Sequence, residues 1–172
     1  MIPQIKKILY TTDLSPNSGY VLRYAVNLAR RHAAKLIVLH VIEELPPTAK
    51  AHLELYLDDE KLKKLSEEKT ANAKERIYKN LIEVCKKELN NLLEAEDIFD
   101  YFEVVEGYPA DEIIKKADEF SCDVIVMGIH SKGFLKHSYF GSTSKKVLRR
   151  VRKPVFIIPL PMGETEIPTH ET

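Results

Sequence analysis

The chain has 172 residues and 44% hydrophobic composition, and its 26 Lys+Arg balance 26 Asp+Glu for no formal net charge. Its length suits one domain with a full hydrophobic core. Its neutrality argues against non-specific nucleic-acid binding through a basic surface, and no apolar run approaches the roughly 20 residues needed to cross a bilayer. The start, Met1-Ile2-Pro3-Gln4-Ile5-Lys6-Lys7, lacks the charged-then-apolar pattern of a signal peptide, so the expected location is the cytoplasm. Cys85 and Cys122 lie far apart in apolar patterns and read as small core residues rather than a disulfide or metal site.

In chain order, Ile5 to Tyr10 is a β-run, left through Thr11, Thr12, Asp13 and Leu14. Ser15-Pro16 then predicts a helix, with Ser15 as N-cap and Pro16 as first residue. Val21, Leu22, Ala25, Leu28 and Ala29 form its apolar face, to about Ala33. Leu36 to Val41 is a second strand, apolar except for His40. Two strands joined by such a helix form a βαβ unit with parallel strands and a right-handed crossover. From Ile42 to about Asp59 the pattern is irregular. Glu43-Glu44 and Pro46-Pro47 break any continuing element, with room for a short helix over 52–56.

Glu60 to about Leu93 reads as a long charged amphipathic helix. Its apolar positions are Leu62, Leu65, Ala73, Ile77, Leu81, Val84, Cys85, Leu89 and Leu92, and its charges read as a solvated face. Tyr101 to Val105 is a third strand. A helix begins around Pro109, with Asp111 and Glu112 in its first turn and Ile113, Ile114 and Ala117 buried. Val124 to Met127 is a buried strand ending at Gly128, and Val155 to Ile158 is a fifth. The stretch 161–172 is polar without periodicity and is expected to be a disordered tail to one domain over 1–160. Five strands alternating with four helices predict a three-layer α/β sandwich with a parallel sheet, whose strand order the pattern leaves open.

The stretch after Gly128 carries the chemistry. A loop holds His130, Ser131, Lys132, Gly133, Lys136 and His137. At Gly141-Ser142-Thr143 a helix starts, with Val147, Leu148 and Val151 as its apolar face. Strand, Gly-bearing loop and helix N-terminus form a phosphate-binding arrangement, because the first helical N–H groups lack internal partners and the dipole favours an anion. Neither G-x-x-x-x-G-K-[ST] nor G-x-G-x-x-G is present.

The spacing Gly128, two residues, Ser131, nine residues, Gly141-Ser142 resembles the universal stress protein family. Its ATP-binding members carry G-x-x-G, nine residues, G-[ST] after the fourth strand. Lys7 to Asp13, Leu36 to Val41, Gly107-Tyr108-Pro109 and Lys153-Pro154-Val155 extend the resemblance over about residues 5–160. Ser131 departs from it, standing where that pattern has its second Gly. The resemblance implies an adenine nucleotide alpha hydrolase-like fold of strand order 3-2-1-4-5, with the ligand crevice at the switch point between strands 1 and 4.

It further implies that Tyr10, Thr11, Thr12 and Asp13 border the adenine and ribose, with Asp13 as polar anchor. Val41 offers backbone groups to the adenine edge, and Met127 and Gly128 line the ribose. Ser131, Gly141, Ser142 and Thr143 hold the phosphates of ATP or AMP. A divalent ion such as Mg²⁺ would ride on the phosphate oxygens, with no protein metal ligands and no catalytic residues assigned. The apolar Val155, Phe156, Ile157 and Ile158 form a sheet edge, and the resemblance implies a homodimer through antiparallel pairing there.

Taken singly, these residues have plainer readings. Asp13 can cap the turn before the first helix. Ser142 can be an ordinary N-cap. His130 and His40 suit loop and backbone hydrogen bonds, and Lys132, Lys136 and His137 either draw phosphates or solvate a loop. The leading expectation is a nucleotide-binding regulatory protein of the stress response with absent or slow hydrolysis. No evident base or arginine finger accompanies the phosphate motif. The alternatives are a dimeric stress-response scaffold that binds no nucleotide, and a slow ATP hydrolase.

Overall fold

The computed structural model describes residues 2–88, 97–129 and 141–159. Its elements are β1 (Lys7–Thr12), α1 (Ser18–His32), β2 (Lys35–Glu43), α2 (Pro47–Glu54), α3 (Asp59–Glu88), β3 (Phe99–Gly107), α4 (Pro109–Glu119), β4 (Val124–Gly128), α5 (Ser142–Arg150) and β5 (Val155–Ile158). The strands form one sheet of order β3-β2-β1-β4-β5, and each neighbouring pair is parallel.

Period-two alternation explains the apolar strand runs. Ile8, Tyr10, Leu36, Val38, Val124 and Val126 face one side, where α1 and α3 cover them with Val21, Leu22, Ala25, Ala73 and Ile77. Leu9, Ile37, Leu39, Ile125 and Met127 face the other, under Ile113 and Ala117 of α4 and Val147 of α5. A parallel strand covered on both faces has no polar side to show, so its sequence reads as a continuous apolar run. Cys122 is a buried member of the second layer, and burial pushes its thiol up to about 11.

Asp123 stitches the two central strands together at their starting ends. The Lys6 and Lys7 amides donate to its Oδ2 at 2.7 and 2.9 Å, joining positions as far as 117 apart in sequence. These amides, Lys6 first, hold its carboxyl below the usual carboxylate range against a smaller opposing effect of burial.

Several boundaries differ from the sequence expectation. α1 starts at Ser18 with Asn17 at its N-cap, not at Ser15-Pro16. The Ser15 carbonyl instead accepts from the Ser18 amide at 2.9 Å, making a turn before the helix. β2 ends at Glu43, ahead of Pro46-Pro47, and the short helix expected over 52–56 instead begins at Pro47, in whose first turn the missing N–H costs nothing. On α5, Val147 is buried but Leu148 is exposed, because the apolar stripe is narrower than its sequence suggests. α3 buries Ala73 and Ile77, and the expected continuation through Leu89 and Leu92 lies outside the described residues.

Candidate functional site

The central strand is paired unequally on its two sides. β1 stays in register with β2 as far as Thr12 opposite His40, but with β4 only as far as Tyr10 opposite Val126. Beyond that point Thr11 and Thr12 on one side, and Met127 and Gly128 on the other, run on without pairing to each other. This is the switch point of an open parallel sheet, the place outside the carboxyl ends of the strands where such folds form a ligand crevice. β2 continues to Glu43, past the end of β1. Strand backbone groups point alternately to the two sides, so part of the Val41 to Glu43 backbone faces that opening without a β1 partner.

One wall is the loop after β1, and side chains hold its shape. The Leu14 amide donates to Thr12 Oγ1 at 3.1 Å, and the Ser15 amide to Asp13 Oδ1 at 3.0 Å. These two local bonds bend the chain so that Leu14 takes φ 59°, a left-handed conformation uncommon for leucine. Two donors reach in from other elements. His40 Nδ1 lies 2.8 Å from the Thr12 carbonyl oxygen, which can only accept, so that nitrogen carries the hydrogen. Arg76 Nη2, from α3, donates to the Leu14 carbonyl at 2.8 Å. Burial lowers the His40 pKa more than the Thr12 carbonyl and Asp13 raise it.

The opposite wall is made of backbone. The Gly141 amide donates to the Ile129 carbonyl at 2.9 Å, and the Ile129 amide donates to Ile158 O at 3.2 Å. Residues on either side of 130–140 are thereby fastened to each other and to β5. A Cβ on Gly141 would stand 2.9 Å from the Ile129 oxygen, closer than real Cβ atoms come, so glycine is required here by proximity. Its φ of −64° is open to any residue. The buried Ser144 hydroxyl donates within reach of Gly141 O at 3.0 Å and Ile129 O at 3.3 Å, locking the first turn of α5. Gly141 is the N-cap, so the amides of Ser142, Thr143 and Ser144 open the helix without intrahelical acceptors. Ser142 is the first helical residue rather than the cap.

The expected site residues divide into three groups. Thr11, Thr12, Asp13, Val41 and Gly128 lie at or near the carboxyl ends of β1, β2 and β4, and Gly141, Ser142 and Thr143 lie at the start of α5, tied to the end of β4 through the Gly141 amide and the Ile129 carbonyl. Tyr10 and Met127 do not offer side chains to the opening. Tyr10 is 2% exposed and donates its hydroxyl to Ser18 O at 2.8 Å under α1, and burial pushes its phenol well above the ordinary range. Met127 is 4% exposed, packed in the layer beneath α4 and α5. Their strand positions place both side chains in the core, and only their backbones border the crevice. Ser131 and the loop residues His130, Lys132, Lys136 and His137 lie outside the described residues. Sequence reading missed Ser144, which locks the start of α5, and Arg76. Arg76 is the more distant of the two. It belongs to a helix face taken as merely solvated, and its one signal is its place between Ala73 and Ile77, the buried positions of α3.

Layering, strand order and the crevice define an adenine nucleotide alpha hydrolase-like α/β protein. Residues 4–159 match the Universal stress protein family. The Universal stress protein MJ0577 of Methanocaldococcus jannaschii is 34% identical over 157 residues, covering 89% of this chain and 94% of its own length. A solved structure of MJ0577 superposes with a TM-score of 0.69 at 30% identity, over 94% of this chain and all (100%) of its own. The universal stress protein from Archaeoglobus fulgidus in complex with dAMP has the same fold, with a TM-score of 0.55 at 21% identity over 91% of this chain and 98% of its own. The chain belongs to the universal stress protein family.

Proposed function

We propose that this protein binds an adenine nucleotide, ATP or AMP, and acts as a regulatory component of a stress response with absent or slow hydrolysis. The observation that carries the reading is the parting of β1 and β4 at the sheet's switch point, beside the first amides of α5, which have no intrahelical acceptors. Thr11, Thr12 and Asp13 take the adenosine end, with Val41 backbone groups on the adenine edge and the Gly128 backbone along the ribose. Gly141, Ser142 and Thr143 take the phosphates, together with Ser131. Tyr10 and Met127 support the floor from within the core. A divalent ion would be carried by phosphate oxygens. The dAMP complex of the Archaeoglobus fulgidus protein supports the ligand class through the shared fold.

Mass spectrometry of nucleotide extracted from the purified protein tests the reading, together with thermal shifts under AMP, ATP and GTP. Adenine nucleotide carried through purification, and stabilisation by AMP and ATP but not GTP, are expected. An empty protein that no nucleotide stabilises would turn the reading to a scaffold, and turnover well above background would turn it to a hydrolase.

Assembly follows from the other sheet edge. β5 pairs with β4 on one side, and Phe156 stands 47% exposed on it. An apolar edge strand is an adhesive surface unless covered, and pairing with a second copy covers it. Phe156→Lys is expected to turn a dimer into a monomer in light scattering at micromolar concentration, without unfolding. A parent that is already monomeric there would refute the dimer. Ile158 is unsuitable for this test because its side chain lies in the core.

A further inference from the structure

The loop after β1 is gripped from a helix far away in sequence. α3 turns a single face toward it. On that face Ala73 and Ile77 pack into the core, Arg76 donates to Leu14 O at 2.8 Å, and Asn80 Nδ2 reaches Ser18 Oγ at 3.4 Å. Leu14 is the loop residue in the left-handed conformation, and its carbonyl shares one planar peptide with the Ser15 amide. A carbonyl fixed there fixes the orientation of that peptide. It thereby sets where the Asp13 carboxylate stands, with Ser15 N–H on its Oδ1 at 3.0 Å. The guanidinium is a charged donor on a backbone acceptor, the stronger kind of hydrogen bond.

We propose that Arg76 is a positioning residue for the adenosine end of the site, holding the Thr12–Ser15 loop in its binding shape without touching the nucleotide. This rests on the nucleotide reading given above. Nucleotide affinity then depends on the seating of α3, a helix outside the phosphate motif.

The test compares the parent with Arg76→Met, which keeps the stem and loses the donors, and Arg76→Lys, which restores one. Hydrogen exchange at the Leu14 and Ser15 amides is read in unliganded protein, with the Gly141 amide as internal control. Calorimetric titration with AMP and with ATP follows. Arg76→Met is expected to speed exchange at Leu14 and Ser15 but not at Gly141. It should weaken AMP and ATP by the same factor, roughly fivefold to tenfold for one lost hydrogen bond. Arg76→Lys should recover most of both. Unchanged exchange at Leu14 and Ser15 would overturn the proposal, as would faster exchange with unchanged affinities or a loss confined to ATP. Should Arg76→Met not fold, Arg76→Lys carries the same comparison with smaller changes in the same direction. A parent that binds neither nucleotide would refute the function reading and the positioning role with it. A parent that binds while the variants bind equally well would refute only the positioning role.

Discussion

The two walls of the crevice are built by opposite means. The loop after β1 is shaped by side chains, two of its own in Thr12 and Asp13 and two from afar in His40 and Arg76. The start of α5 is shaped by backbone, through Gly141 to Ile129 and Ile129 to Ile158, with Ser144 as its side-chain lock. A backbone wall depends on which positions can be glycine, and a short motif records that. A side-chain wall depends on partners scattered along the chain, and no short motif can record it.

The largest expected effect strikes the backbone wall. Gly141→Ala puts a methyl group where the Ile129 oxygen lies at 2.9 Å, and neither backbone atom can swing aside. The bond between them should break and the α5 amides move. Overpacking plus a lost hydrogen bond suggests a fall of roughly a hundredfold in ATP affinity, about 3 kcal/mol. AMP, with fewer phosphates at that wall, should lose less. Titration of both nucleotides reads the difference, and equal losses would mean that the two walls are not separable.

Next comes Asp13→Ala on the side-chain wall, expected to weaken ATP and AMP alike by about 1–3 kcal/mol. The sheet should survive, because the residue is exposed beyond the end of β1. If affinities match the parent while the protein stays folded, the carboxylate serves only the Ser15 amide and the turn.

The sequence made one wall far more legible than the other. Gly141-Ser142 is marked by the strand, loop and helix-start pattern and by its resemblance to the family motif, and the runs Ile8 to Tyr10, Leu36 to Val41 and Val124 to Met127 announce a parallel sheet because both of their faces are buried. Strand order came from family resemblance, since periodicity within a strand says nothing of its neighbours. The family resemblance puts Tyr10 at the adenine rim, yet strand alternation turns its ring under α1. The late start of α1 was hidden too. Ser15-Pro16 satisfies local capping rules, but the chain is still completing the turn that Asp13 and Leu14 impose.

Ser131→Gly sharpens the contrast at smaller magnitude. Restoring the glycine of the family pattern should raise ATP affinity a few-fold and leave AMP nearly unchanged, since it alters only the phosphate end. A loss of ATP affinity instead would identify the serine hydroxyl as a ligand.

The smallest expected effect is a pH dependence belonging to the side-chain wall. Burial, the dominant influence on His40, sets its folded pKa below the ordinary 6.5, with Asp13 and the Thr12 carbonyl opposing and Arg76 assisting. The unfolded chain therefore takes up this proton first. The stability tied to neutral His40 is complete above about pH 6.5 and is lost as pH falls through the folded value. Denaturant melts across this window should show the decline, and His40→Asn, which keeps a donor for Thr12 O, should flatten it. An unaltered slope in the variant would assign the decline to other groups.

The stitch between Asp123 and the first strand bears on the order in which the molecule can be made. β1 leaves the ribosome ahead of the other strands of its sheet and is the middle strand of that sheet, and the amides that bind Asp123 wait for a residue as far as 117 positions away. β1, α1 and β2 can associate early, since their contacts are close in sequence. The partner on the other side of β1 arrives only after most of the chain has been synthesised, and contacts of such separation are slow to close. The switch point needs both β1 and β4, so it is among the later features to form, and any ligand held there would recognise only a chain in which β4 has joined β1.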